Sequence, residues 1–97
     1  MQPKEFFVYI LANTSNTVLY VGVTNNLIRC TFEHQNKLAD SFSNKYNLNK
    51  LVYFEIYPDA ENAILREKQL KGGSRQKKLD LIKIDNPQFK DLYNDII

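Results

Sequence analysis

Three apolar runs alternate with polar stretches along the chain and predict β-strands. They lie at residues 6–11, 18–23 and 51–57 and are rich in aromatic and β-branched side chains. Residues 13–16, Asn-Thr-Ser-Asn, separate the first two runs and favour a tight turn. The first two strands are therefore predicted to pair as an antiparallel hairpin.

The spacing of apolar side chains also predicts the helices around these strands. Residues 27–38, 59–71 and 77–84 are predicted helices, residues 40–49 a loop, and residues 88–96 a final short turn. Capping residues stand near the predicted helix starts: Asn25 or Asn26, Asp59 and Ser74. The element order β-β-α-β-α-α predicts an α+β fold, a small three-stranded antiparallel sheet flanked by helices. The whole chain, residues 1–97, is expected to form one domain.

The composition is that of a globular protein. The 97 residues are 43% hydrophobic and 25% charged, and they are too few for a doubly wound sheet or a TIM barrel. The single cysteine, Cys30, excludes an internal disulfide framework and a cysteine-rich zinc site. No apolar run approaches the roughly 20 residues of a membrane span, and residues 1–5 do not begin a signal peptide. A soluble, cytoplasmic protein without a membrane partner is therefore expected.

Positive charge is concentrated in one stretch of the chain. The formal charge of the whole chain is +2, whereas residues 66–78 contain six basic side chains and one acid, a net charge of +5. The basic residues are Arg66, Lys68, Lys71, Arg75, Lys77 and Lys78. Such a stretch either binds phosphates through charge and counterion release or forms an ordinary solvated helix face.

Several single residues are candidates for chemistry, each with a plainer alternative. Glu67 lies among those cations, so it is either a salt-bridge partner or the one carboxylate ligand of a Mg²⁺ ion that keeps most of its waters. Tyr9 and Tyr20 lie near the middles of the paired strands, where they either share a site or pack in the sheet. His34 follows Cys30 by one helical turn. The two are interpreted as structural residues rather than as a nucleophilic cysteine with a histidine base.

Short motifs along the chain resemble those of the GIY-YIG nuclease superfamily, most closely its small single-domain bacterial members. Residues 8–10 (Val-Tyr-Ile) stand where the GIY triplet would be, and residues 20–22 (Tyr-Val-Gly) stand for YIG. The later motifs are Glu33-His34, residues 66–71, and Asn86-Pro87 followed by Asp91-Leu92. The resemblance covers residues 6–92 and extends to the N-terminal nuclease domain of the excision-repair incision subunit, which makes DNA repair one implied context.

This resemblance implies a DNA endonuclease that hydrolyses phosphodiester bonds with one divalent ion, Mg²⁺ or Mn²⁺. It assigns Glu67 as the metal ligand and Tyr9 as the general base toward the attacking water. Tyr20 would orient water or phosphate, His34 would hydrogen-bond a tyrosine hydroxyl or phosphate, and Asn86 would support the site from the C-terminal side. A tyrosine, with an ordinary pKa near 10, needs a nearby cation to act as a base at neutral pH.

The most consequential departure from the family pattern is on the first helix. The family's arginine on the first helix, eight residues after the YIG glycine, is replaced by Cys30, and Arg29 stands one position earlier. One residue on a helix is a rotation of about 100°, so Arg29 is at best a displaced substitute. Losing one electrostatic donor to the transition state typically lowers the rate about 10²–10³-fold. The resemblance therefore implies an endonuclease weakened by Cys30.

Two other functions fit the same residues. The chain could be a catalytically inactive DNA-binding module that uses the same groove and the basic residues 66–78. It could also be a protein-interaction domain that keeps only the fold. Salt-dependent binding to DNA would distinguish the DNA-binding module from the protein-interaction domain.

Overall fold

The computed structural model describes residues 5–36 and 45–97 and has the predicted α+β fold with the element order β-β-α-β-α-α. The strands are β1 (Phe6–Ala12), β2 (Leu19–Thr24) and β3 (Lys50–Tyr57). The helices are α1 (Leu27–Gln35), α2 (Ala60–Gly72), α3 (Arg75–Asp85) and the short α4 (Tyr93–Ile96). Residues 37 and 38 of the predicted first helix and residues 40–44 of the predicted loop lie outside the described residues.

The sheet has the strand order β2-β1-β3, and both strand pairs are antiparallel. In the β1–β3 pair, Ile10 lies opposite Tyr53 and Leu11 lies opposite Leu51, so Val52 is an extra residue in β3. Such a bulge bends the strand and increases its twist. Because β1 is central, β2 and β3 are the two edges of the sheet.

Helices cover both faces of the sheet. Val8, Ile10 and Ala12 of β1 point to one face, where they pack with Ala63 of α2 and Ile82 of α3. Tyr9 and Leu11, which alternate with them, point to the other face. That second face packs against Leu27 of α1, Leu48 and Leu51, with Leu92 and Ile96 beside them. Tyr9 therefore belongs to the layer that α1 covers.

The helix starts are fixed by side chains that cap the first turn. The side chains of Asn26, Asp59 and Ser74 accept hydrogen bonds from the backbone N–H groups three residues later. Asn26, rather than Asn25, caps α1. Helix α3 begins at Arg75, two residues before its predicted start, because Ser74 caps it directly after the glycine pair that ends α2.

Asp91 joins the C-terminal segment to the sheet and to α1. Its carboxylate accepts hydrogen bonds from the Leu51 N–H at 3.1 Å and from the Tyr93 N–H at 3.0 Å. It also accepts one from the Gln35 side chain at 2.7 Å. No helix in the described ranges, residues 5–36 and 45–97, is long and apolar enough to cross a membrane.

Candidate active site

Tyr9, Tyr20 and His34 form a compact aromatic group on the α1 face of the sheet. Tyr20 lies opposite Leu11 in the β1–β2 register, so its side chain shares a face with Tyr9 two residues away. The ring centroids of Tyr9 and Tyr20 are 6.3 Å apart. His34 projects from α1 onto both, with its ring centroid 6.3 Å from that of Tyr9 and 6.0 Å from that of Tyr20. Tyr9 and His34 are buried, whereas Tyr20 is partly exposed at the edge of the sheet.

Gly22 makes room for the Tyr9 ring. Tyr9 lies opposite Gly22 in the strand register, and its ring crosses over the glycine. A Cβ atom at position 22 would come within 3.0 Å of Cε1 of Tyr9 and closer still to its Cζ and hydroxyl oxygen. The third residue of the Tyr-Val-Gly triplet therefore has a steric reason to lack a side chain.

Cys30 lies beside the Tyr9 hydroxyl. The thiol is half-buried, and burial raises its pKa above the ordinary value although hydrogen bonds with Tyr9 and Thr24 act in the opposite direction. The side chain is therefore an uncharged thiol at neutral pH. At the position where the resemblance leads one to expect an arginine, this chain has a small neutral group in contact with Tyr9.

Arg29 points to solvent. Its side chain is 70% exposed, and its Nε lies 3.8 Å from the carboxylate of Glu33, one turn further along α1. The rotation between neighbouring helix positions separates it from Cys30, which faces Tyr9. The arrangement pairs Arg29 with Glu33.

Glu67 and Lys71 connect α2 to the aromatic group. The Lys71 Nζ lies 3.7 Å from the Glu67 carboxylate and 5.9 Å from the centroid of the Tyr20 ring. The Glu67 side chain is only 16% exposed, whereas the Lys71 side chain is 51% exposed. Because Tyr20 belongs to the edge strand β2, α2 meets the aromatic group at that edge. Lys71 thus links Glu67 to Tyr20, and Tyr20 adjoins Tyr9 and His34; this region is called the candidate cleft, or simply the cleft.

Glu67 offers a single carboxylate, which could serve only a hard cation that keeps most of its waters. Within residues 5–36 and 45–97, no three His, Cys, Asp or Glu side chains group closely enough to hold a metal ion. Mg²⁺ needs only one or two carboxylates and takes its other oxygens from water and substrate phosphates. Glu67 can supply one such oxygen if the ammonium group of Lys71 gives up its contact.

A second polar cluster, on the opposite face, was not predicted from the sequence. The Glu55 carboxylate accepts two hydrogen bonds from the Arg66 guanidinium, at 2.9 and 3.1 Å, and one from the Tyr57 hydroxyl at 2.7 Å. The Tyr53 hydroxyl donates a further one. Tyr53, Glu55 and Tyr57 alternate along β3, so their side chains lie on one face of the strand. This spacing was the sequence signal from which the cluster could have been predicted. This cluster ties α2 to β3 and engages Arg66.

Asn86 is buried at the end of α3. Its amide nitrogen donates to the backbone carbonyls of Val52, at 3.1 Å, and Lys90, at 2.8 Å, and its oxygen accepts from the Lys90 N–H at 3.1 Å. These contacts fasten the turn after α3 to β3. The Asn86 side chain therefore hydrogen-bonds to the backbone of β3 and of the turn that follows α3.

The remaining cations of residues 66–78 lie along α2 and α3. Arg75 donates to the Asn16 carbonyl at 2.7 Å, and Lys78 donates to the Gly73 carbonyl at 2.9 Å. Lys77 and Lys78 line a groove of about 300 Å³ between the two helices, together with Arg66. Lys68 is exposed on α2. The predicted basic stretch is therefore not one surface: Lys71 lies by Tyr20, some of its cations line the α2–α3 groove, and Lys68 and Arg75 do not line that groove.

Comparison with known proteins identifies similar chains. A family model described as the GIY-YIG catalytic domain matches residues 5–80. A UPF0213 protein of Clostridium perfringens is 37% identical over 76 residues, which are 78% of this chain and 81% of that protein. A UPF0213 protein of Syntrophus aciditrophicus is 36% identical over 83 residues, 84% of this chain and 93% of that protein. The solution NMR structure of a UPF0213 protein from Bacillus halodurans has a TM-score of 0.56 and 25% sequence identity, covering 88% of this chain and 89% of that chain.

Proposed function

This chain belongs to the GIY-YIG catalytic-domain family, and from that premise we propose that it is a divalent-metal-dependent endonuclease that hydrolyses phosphodiester bonds of DNA. Nucleases of this family act on nucleic acid and generally use a divalent metal ion. The observation that carries the proposal is the grouping of the Tyr9, Tyr20 and His34 rings, whose centroids lie within 6.3 Å of one another. Lys71 lies beside Tyr20, and Glu67 lies beside Lys71.

In the proposed reaction, a water oxygen attacks the phosphorus atom and forms a new P–O bond. Tyr9, in its deprotonated form, accepts a proton from that water. The P–O bond to the leaving sugar oxygen breaks, and the leaving oxygen takes a proton from solvent. Tyr20 orients the phosphate at the open side of the cleft, and His34 holds the tyrosine hydroxyls in position through its contact with both rings.

Glu67 is the proposed ligand of one Mg²⁺ or Mn²⁺ ion. When bound, the ion stabilises negative charge on the phosphoryl oxygens and lowers the pKa of coordinated water. Glu67 would hold the ion through its carboxylate, which belongs to a side chain that is only 16% exposed. Asn86 is proposed to support the cleft indirectly, by fastening the C-terminal turn to β3.

The basic side chains outside the cleft are proposed to hold the DNA backbone. The side chains of Lys68 and Lys77 are exposed and make no hydrogen bond or ion pair with residues 5–36 or 45–97, so they are available to phosphates. Arg75 and Lys78 donate only to backbone carbonyls, which leaves further N–H donors on each for phosphate oxygens. Contacts of this kind carry no sequence information, so low sequence specificity is expected.

A catalytically inactive DNA-binding module is the second candidate, and one observation favours it. Cys30 supplies a neutral thiol against the Tyr9 hydroxyl where a guanidinium would stabilise charge on the phosphate. In this alternative the cleft binds the backbone of DNA and does not cleave it. The two functions differ in whether a metal ion produces cleavage.

Nicking of a supercoiled plasmid by the purified chain tests the proposed function. With Mg²⁺ or Mn²⁺, we expect slow conversion to the open circle, and we expect Glu67→Ala to abolish it. Glu61→Ala is the matched control, since Glu61 is an exposed acid in the first turn of the same helix. Nicking that Glu67→Ala leaves unchanged would exclude Glu67 as the metal ligand. Tight, metal-independent binding without nicking would establish the alternative.

A further inference from the structure

We infer that Lys71 is the phosphate-directed cation of the cleft, in the place of the arginine that position 30 lacks. This inference rests on the proposed function. The Lys71 ammonium group lies 5.9 Å from the centroid of the Tyr20 ring and 3.7 Å from the Glu67 carboxylate. A phosphate held by Tyr20 and close to Glu67 would therefore lie within reach of the Lys71 Nζ.

Position 30 leaves the cleft without a charge from α1. Cys30 is an uncharged thiol beside Tyr9, and Arg29 is turned to solvent, where it pairs with Glu33. A phosphodiester carries a negative charge that increases as water attacks it, and a preorganised cation at that point stabilises the charge. Lys71 of α2 can supply part of this charge, because its ammonium group lies near both Tyr20 and Glu67.

Other cations of the basic stretch are engaged away from the cleft. Arg66 is held by Glu55 on the opposite face of the sheet. Arg75 and Lys78 donate to the carbonyls of Asn16 and Gly73. Among the described cations of residues 66–78, Lys71 is the one in contact with both Tyr20 and Glu67.

The surroundings of Lys71 allow it to exchange one partner for another. Its side chain is 51% exposed, and an ion pair at that exposure contributes little, so a phosphate can replace the Glu67 carboxylate. The face of the Tyr20 ring attracts the ammonium group and holds it near the cleft during the exchange. The same exchange frees the Glu67 carboxylate for a metal ion.

The test measures the binding of a short fluorescent DNA duplex in EDTA, over a series of salt concentrations. Lys71→Met keeps most of the length of the side chain and removes the charge. We expect it to weaken binding about tenfold at low salt and to reduce the slope of log K against log salt by about one, the loss of a single phosphate contact. Lys71→Arg should retain both. Lys83→Met is the matched control, because Lys83 is an exposed lysine in the last turn of α3, away from the cleft.

A rescue variant makes the test specific to position 30. Cys30→Arg, combined with Lys71→Met, should restore the affinity and the salt slope, because the guanidinium would supply the charge from α1. If Lys71→Met and Lys83→Met bind the duplex equally, or if the wild type binds no duplex, the inference is wrong whatever the nicking assay gives. If Lys71→Met loses binding while the metal-loaded wild type does not nick plasmid, the role of Lys71 holds and the hydrolytic function fails.

Discussion

Gly22 illustrates how one residue controls the position of another across the strand pair. The Tyr9 ring lies over Gly22 and is buried, with Tyr20, His34 and Cys30 beside it. Gly22→Ala should therefore displace the ring and destabilise the fold by about 1–3 kcal/mol, the range for overpacking. Chemical denaturation measures the change.

Gly72→Ala is the control for this prediction. A Cβ atom at Gly72, the last residue of α2, meets nothing within 4 Å. Alanine there should leave stability unchanged or raise it by up to about 1 kcal/mol, because glycine is a poor helix former. Equal stability of the Gly22→Ala and Gly72→Ala variants would contradict the packing described for Tyr9.

For Cys30, the sequence predicted the position on the helix but not the contact that its side chain makes. Counting from the Tyr-Val-Gly triplet indicated a cysteine where the family carries an arginine, and helix geometry indicated that Arg29 faces elsewhere. The contact between the Cys30 thiol and the Tyr9 hydroxyl could not be predicted, because it depends on how α1 lies on the sheet. The contact between Lys71 and the Tyr20 ring was unpredictable for the same reason, because it depends on how α2 packs against the sheet.

At the scale of elements, the Glu55 cluster holds α2 against β3. Burial alone would raise the pKa of the Glu55 carboxyl, but hydrogen bonds from Arg66, Tyr53 and Tyr57 outweigh it and hold the pKa below its usual range. The same carboxylate, after burial, is the main reason that the pKa of the Tyr53 hydroxyl lies above its usual range. The cluster is therefore most stable with Glu55 ionised.

This cluster predicts a loss of stability in acid. A carboxyl whose pKa is lower in the folded state contributes stability above its unfolded pKa, about 4.3, and the contribution is lost as the pH falls through the lowered folded value. Glu55→Gln should lower the free energy of unfolding at pH 7 by about 1.5–3 kcal/mol, the range for hydrogen bonds to a charged group. It should also flatten the decline below about pH 4.3.

Unfolding by urea at several pH values measures both effects. Glu61→Gln is the control, since Glu61 is exposed and lies outside the cluster. A Glu55→Gln variant with the acid sensitivity of the wild type would show that the carboxylate does not stabilise the α2–β3 contact.

Most of the elements were predictable because their signals are local. The three strands followed from aromatic and β-branched runs. Asp59 and Ser74 were recognised as caps and do cap α2 and α3, although the predicted start of α3 was two residues late. The central place of β1 between β2 and β3 was not predicted, since strand order depends on pairings distant in sequence. The bulge at Val52 was missed for the same reason.

At the scale of the whole molecule, the charge of residues 66–78 predicts how the protein binds DNA. Replacing Arg75, Lys77 and Lys78 together with glutamine should weaken binding to duplex DNA and reduce its salt dependence, because each lost phosphate contact removes about one released counterion. Fluorescence anisotropy at several salt concentrations measures this slope. Lys83→Gln is the single-site control.

An unchanged salt slope in the triple variant would identify this stretch as an ordinary solvated face. The sequence alone left both interpretations open, since charge clustering does not say which side chains are engaged. The structure divides the stretch, with Arg66 bound to Glu55 and Lys71 at the cleft, and leaves Lys77 and Lys78 along the α2–α3 groove.

The most direct test of the central claim, that the cleft of Tyr9, Tyr20, His34 and Glu67 cleaves DNA, is plasmid nicking by Cys30→Arg. With Mn²⁺, we expect the wild type to nick slowly and Cys30→Arg to nick up to about 10²–10³ times faster, the effect of one electrostatic donor. Cys30→Arg combined with Glu67→Ala should be inactive. Two results would contradict this account: no cleavage by a folded, metal-loaded Cys30→Arg protein, or strong wild-type cleavage that Arg29→Ala abolishes.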